Sequence, residues 1–224
     1  MTASKRARVL ALAAAVLAAG ASRARAAEDE IQRRAVDLMK TVRPVSRWKK
    51  GEPIGRFLDT YYFNVLESDY PGPRTVTVKD GRGKPLASVT AGFWEHFSVE
   101  GTGRLLDGRE LNTSEGGTVV VKAPMGEGTC RLEKWRSMAV DPRVIPLGTV
   151  VKIDETVGLK LPDGTVADGY WQAVDTGGEV RNAHVDLYVG DGEKNGRALE
   201  DAGIHLRPLT VRYVSTPRST CAKP

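Results

Sequence analysis

The chain is poor in the residues from which metal and redox centres are built, with two cysteines and three histidines in 224 residues. His96, His184 and His205 show no ligand spacing, and Cys130 and Cys221 lie in no paired-thiol motif. No metal and no cofactor is therefore expected. Long apolar runs are also missing. The run from Val9 to Ala19 is about eleven residues, against the ~20 that a membrane-spanning helix needs. There is no low-complexity segment and no repeat of fixed period, which excludes solenoid and linker architectures.

An excess of one charge is absent too, once its source is located. The chain has 33 Lys and Arg against 28 Asp and Glu. Lys5, Arg6, Arg8, Arg23 and Arg25 all precede residue 27 with no acidic residue among them, so 28 of the 33 basic residues remain beyond that point. The beginning reads as a basic start, an apolar middle and small residues ending at Ala26, the order of a secretory signal peptide with cleavage expected after Ala26. The remaining chain is near neutral, which gives no support to a nucleic-acid partner. Export to an oxidising compartment favours a Cys130–Cys221 disulfide closing a loop of about ninety residues. The competing reading is a thiol nucleophile working with a histidine.

What is present is mostly β in texture. Residues 27–56 read as an N-terminal helix, with Ile31, Ala35, Val36, Leu38, Met39 and Val42 on its apolar face, followed by a linker. Strand-like runs follow at Phe57 to Leu66, Thr75 to Lys79, Leu86 to Thr90, Thr118 to Lys122, Ser137 to Val140, Thr149 to Ile153, Trp171 to Val174, His184 to Val189 and Leu209 to Val214. Asp80-Gly81, Asp107-Gly108, Asp163-Gly164 and Asp191-Gly192 punctuate them as turns. One later helix is expected, from Lys194 to Ala202, stopped by Gly203. Many short strands with a single inserted helix argue for a closed barrel over residues 57–215, leaving 216–224 as a tail.

Three aspartates stand within or at the end of apolar runs: Asp141 in Ala139-Val140-Asp141-Pro142, Asp175 in Asp175-Thr176-Gly177-Gly178, and Asp186 in Val185-Asp186-Leu187-Tyr188. Strand interiors are depleted in Asp, and an unpaired buried carboxylate is costly. Asp141 and Asp175 could each be explained by a turn. Asp186 has no turn former beside it, so it either faces solvent or belongs to a shared polar site.

The order Ala-Val-Asp-Pro, Val144-Ile145-Pro146-Leu147-Gly148-Thr149, Asp-Thr-Gly-Gly and then an aspartate eleven positions after Asp175 resembles the 3D (three-aspartate) domain. That family is a six-stranded double-psi β-barrel of bacterial cell-wall proteins, similar to the C-terminal part of the membrane-bound lytic transglycosylases of type A. The motif resemblance spans Ser137 to Tyr188. A looser likeness extends upstream, where Thr60-Tyr61-Tyr62 looks like the opening strand and Glu100-Gly101-Thr102-Gly103-Arg104 looks like the Gly-rich strand of the transglycosylase barrel. The sequence differs at Glu179-Val180-Arg181-Asn182, where the family usually has Ala-Ile-Lys-Gly, and Asn182 is expected to keep the left-handed backbone.

The resemblance implies an exported lytic transglycosylase, secreted or periplasmic and associated with the cell wall. It would cut the β-1,4 bond between N-acetylmuramic acid and N-acetylglucosamine in a peptidoglycan glycan strand, leaving a 1,6-anhydro product. Asp186 would be the acid, with Asp175 and Asp141 raising its pKa. Thr176, Gly177, Gly178, Tyr61, Tyr62, Trp171 and Glu100 are the expected sugar-binding residues. His184, on the same strand face as Asp186, is a candidate for tuning it. The chain is too short for the second domain that completes the groove in those transglycosylases, so a cell-wall protein partner could be needed there. The rival functions are a non-catalytic glycan-binding module and an inverting glycoside hydrolase.

Overall fold

A computed structural model describes residues 25–114, 117–126 and 130–216. Most of the expected leader, the tail from 217, and Cys221 with its expected disulfide lie outside the described residues. The described part is mostly β-sheet with few helices.

Helix α1 occupies residues 25–38 and leads through single 3-10 turns into β1 (Pro53–Leu66). Ala35 of α1 is fully buried, whereas Val36, expected on the apolar face, is 54% exposed. The remaining strands are β2 (Val76–Lys79), β3 (Pro85–Val89), β4 (Thr102–Arg104), β5 (Glu110–Thr113), β6 (Val119–Val121), β7 (Ser137–Val140), β8 (Val150–Ile153), β9 (Tyr170–Asp175), β10 (His184–Asp191) and β11 (Pro208–Ser215). Helices α2 (Ala91–Glu100) and α3 (Arg197–Asp201) complete the set. Nine strands form one sheet in the order β10-β7-β9-β8-β11-β1-β4-β5-β6, with an additional β10–β1 pairing. Strands β2 and β3 make a separate hairpin.

β1 is the organising element because its 14 residues serve three neighbours in turn. Its first part pairs antiparallel with β11, its middle pairs parallel with β10, and Val65 and Leu66 pair parallel with β4. A strand paired on both edges and covered on both faces needs apolar residues in both registers. Ile54, Phe57, Leu58, Phe63 and Val65 are accordingly buried. Trp171 lies in the same core at 1% exposure, its Nε1 donating to Thr156 Oγ1 at 3.0 Å.

Helix α2 and strand β5 are absent from the expected helices and strands, whereas β4 answers to the Gly-rich strand that the looser likeness at Glu100 to Arg104 implies. The sequence Ala91 to Glu100 is rich in aromatic residues and lacks a wide apolar stripe, which masks its helical period. Its ends are nevertheless well marked. The Thr90 hydroxyl caps the first turn by accepting from Phe93 N, and Gly101 closes the last turn with φ +75°. The inward face carries Phe93 and Phe97, which rest on Gly103 of β4.

A Cβ added at Gly103 would stand 2.8 Å from Phe93 Cζ and 3.0 Å from Phe97 Cδ2. Gly103→Ala is therefore expected to lift α2 from β4 and to destabilise the protein by about 1–3 kcal/mol, as overpacking does. Thermal unfolding measures it; an unchanged midpoint would show that α2 is not held there.

Candidate active site

β10 places Asp186 beside two other strands at one level. Thr60 of β1 and Ala139 of β7 are its register partners on either side, and Ala139 is in turn the partner of Asp175 on β9. A row Thr60–Asp186–Ala139–Asp175 thus crosses four strands, with the two aspartates two strand spacings apart, roughly 9–10 Å at the backbone. The small side chain of Ala139 leaves the space between them open.

This row forms the floor of a cleft of about 780 Å³. The barrel-side wall includes Tyr61, Tyr62, Thr176, Gly177 and Gly178. The opposite wall, for which the length of the chain suggested no material, is built by the end of α2 and by β4–β6 and the segment after them: Val99, Glu100, Asn112, Val120, Lys122 and Met125. Lys122 is the sole cation among the described lining residues, against Glu100, Asp175 and Asp186.

Asp186 is partly exposed to the cleft, and its Oδ1 accepts from Thr60 Oγ1 at 2.6 Å. Burial pushes its carboxyl up to about 7; the Thr60 bond opposes the rise, and the Asp175 carboxylate adds to it. Asp175 accepts from Tyr62 Oη at 3.0 Å and from Thr176 N at 2.9 Å. Tyr62 is buried with its ring 5.1 Å from that of Tyr188, so it reaches the cleft chiefly as a donor to Asp175. Tyr61 is half-buried, its hydroxyl bonded to Glu200 at 2.7 Å. Glu100, the last residue of α2, accepts from Phe63 N at 3.0 Å. Burial raises it to about 8, against that hydrogen bond, with Asp186 adding to the rise.

Two of the expected site residues are placed elsewhere. Trp171 does not reach the cleft, because strand alternation turns it into the core described above. Asp141 also lies outside the cleft. Its carboxylate ion-pairs with Arg143 at 2.7 Å and accepts from Asn182 N at 2.9 Å, tying the turn after β7 to the start of β10. The Arg143 hydrogen bond holds it down at about 2, and its charge is not among the causes that raise Asp186. Asn182 adopts φ +61°, the left-handed conformation expected of it.

Two residues not expected at the site matter to it. Thr60 is revealed only by strand register, since its place beside Asp186 depends on the β1–β10 alignment. Asp59 points away from Thr60 and is fully buried; its Oδ1 accepts from Arg207 N at 2.9 Å, and its Oδ2 has no hydrogen-bond partner among the described residues. Burial raises it to about 7. The described residues include no group of three or more His, Cys, Asp or Glu placed to hold a metal ion, and no helix among them is long and apolar enough to cross a membrane.

Comparison with known proteins bears on this geometry. Residues 136–214 match the family model of the 3D domain, and the chain carries that domain there. Solved structures similar to it include a membrane-bound lytic murein transglycosylase from Agrobacterium tumefaciens, 14% identical over 77% of this chain and 82% of that one, with a TM-score of 0.53. MltA from E. coli with bound chitohexaose is 17% identical over 72% of this chain and 73% of that one, at a TM-score of 0.47. The first of these establishes a shared fold. No curated protein matches the sequence significantly.

The raised carboxyls make stability depend on pH in a defined sense. Asp59, Asp186 and Glu100 keep protons in the folded state that the unfolded chain releases near pH 4. These three carboxyls should therefore make stability fall as pH rises from about 4 to about 8, opposed below about 6.5 by His184 and His205, whose imidazoles burial lowers. Asp141 acts oppositely, and its contribution is lost as pH falls through about 2. Asp59→Asn keeps the acceptor for Arg207 N and removes one titration, so thermal midpoints measured across this window should decline less steeply than in the wild type. An identical slope would show that Asp59 is ionised in the folded protein.

Proposed function

We propose that the chain is an exported peptidoglycan lytic transglycosylase that cleaves the N-acetylmuramic acid–N-acetylglucosamine β-1,4 bond and leaves a 1,6-anhydro product, with Asp186 as acid and then base. The observation that carries this reading is the position of Asp186 on the floor of a two-walled cleft, with its carboxyl held near 7. A group that must give a proton and then take one works best when its pKa lies near the working pH. The type of relative that shares the fold agrees with it.

In the proposed reaction Asp186 protonates the glycosidic oxygen as the bond from the muramic C1 to that oxygen breaks. The C6 hydroxyl of the same sugar then attacks C1 and gives its proton to the Asp186 carboxylate, which restores the acid. No water is consumed. Asp175, fixed by Tyr62 and Thr176, lies on the same floor to favour the cationic sugar, and Glu100 offers a neutral carboxyl from the facing wall. Tyr61 and the Thr176-Gly177-Gly178 segment are the glycan contacts on the barrel side. The same reading takes β1, β10, β7, β9, β8 and β11 as a closed double-psi barrel, which the additional β10–β1 pairing supports. It also places the protein in a cell-wall compartment where Cys130 and Cys221 pair.

Digestion of purified peptidoglycan, followed by mass spectrometry, tests the assignment. Wild-type protein should yield anhydro-muropeptides, and Asp186→Asn should lower their rate by about 10²–10⁴-fold while still co-sedimenting with peptidoglycan. Products heavier by one water would identify a hydrolase. Binding without cleavage by either protein would identify a glycan-binding module.

A further inference from the structure

Asp186 belongs to a hydrogen-bonded line that extends behind it, away from the cleft. Thr60 Oγ1 stands 2.6 Å from Asp186 Oδ1 and 2.8 Å from His184 Nε2. His184 Nδ1 stands 3.3 Å from the backbone oxygen of Glu179, which also accepts from Gln32 Nε2 of α1. His184 is buried at 4% exposure and lies two residues before Asp186 on the same strand face.

The direction of each bond follows from proton counting. A carbonyl oxygen only accepts, so His184 Nδ1 carries the proton that faces Glu179. Burial lowers the imidazole to about 4, so at neutral pH it is uncharged and Nε2 is an acceptor. Thr60 has one proton and two neighbours that can accept it. When Asp186 is ionised, the hydroxyl donates to the carboxylate, and His184 Nε2 is left without a donor in a buried site. When Asp186 is protonated, its own O–H donates to Thr60 Oγ1, the Thr60 proton turns to His184 Nε2, and every member is satisfied. Leaving a buried acceptor unmatched is unfavourable.

We propose that His184 competes for the Thr60 proton and thereby favours the protonated form of Asp186, offsetting the Thr60 bond, in a relay whose Thr60 hydroxyl reverses direction each time Asp186 loses or regains its proton. His184 acts through Thr60 and touches no substrate, so it is a positioning residue. Both Asp186 states needed by the proposed reaction are thereby served by one hydroxyl without movement of the backbone. Other carboxyls face Asp186 from neighbouring elements: Asp175 on β9 adds to its rise, and the Asp186 charge in turn raises Asp59 on β1 and Glu100 at the end of α2. The relay differs from these in being tied to the tautomer of His184.

The catalytic consequence rests on the transglycosylase reading, but the relay can be tested without it. In wild-type protein labelled with 15N-histidine, the Nε2 resonance of His184 should remain that of an unprotonated nitrogen from about pH 5 to 8. It should shift with the midpoint of Asp186 as Thr60 turns away, and this inflection should vanish in Asp186→Asn. A protonated Nε2, or no inflection, overturns the proposal. In digestion assays His184→Phe, which cannot accept, should move the alkaline limb of the pH–rate profile down by about 0.5–1 pH unit. His184→Gln keeps an acceptor and should leave the limb in place; an unmoved limb in the Phe variant contradicts the relay. Absence of anhydro products from every protein would sink the transglycosylase assignment and leave the nitrogen spectrum to decide the relay.

Discussion

The parallel ladder between β1 and β10 is the constraint on which the rest depends. It aligns Thr60 with Asp186 and, through β7, sets Asp175 at the same level. A shift of one residue in this ladder would turn every β10 side chain to the opposite face, sending Asp186 inward and Val185 or Leu187 into the cleft. The register is secured by burial of the face opposite Asp186, where Val185, Leu187 and Val189 are all fully buried. The polar row is thus positioned by the apolar residues that alternate with it.

The arrangement has an energetic cost at neutral pH. Three carboxyls sit where burial disfavours their charged form, and two of them, Asp186 and Glu100, line one cleft. Such groups weaken the fold as they ionise, so the site is maintained by packing elsewhere. Asp141 shows the contrasting use of the same residue type. Its charge is met by Arg143 and by Asn182 N, so it stays ionised and holds two turns together. Three aspartates with similar sequence surroundings therefore divide into a latch, a hydrogen-bonded neighbour and a group poised between its two forms.

Much of the strand pattern was legible because apolar runs bounded by Asp-Gly turns carry a direct physical signal. Asp186 was legible for a different reason, since an acidic residue flanked by valine and leucine has no local explanation. Helix α2 was hidden by its composition, although Thr90 and Gly101 bracket it with the right caps. The missing wall of the cleft followed from that omission, because α2 and β4 carry Glu100 and its neighbours. Trp171 shows the converse limit. An aromatic residue in a strand can face either way, and only the register assigns it to the core. The role of Thr60 could not be read locally, because it arises from pairing across 126 positions of chain.

The N-terminal helix, which reads in sequence as an appendage, is joined to the site's supporting loops. Gln32 donates to the Glu179 carbonyl that His184 also faces, and Arg34 Nη2 donates to Leu206 O at 2.6 Å, next to the Arg207 amide that binds Asp59. A carbonyl with two lone pairs can satisfy both donors, so Gln32 need not displace His184. Its effect is to fix the oxygen that determines which imidazole nitrogen carries the proton. Glu179, which opens the segment leading into β10, is thus the residue that Gln32 of α1 anchors. The backbone groups of Glu179 and Asn182 in that segment make the hydrogen bonds that hold His184 and Asp141.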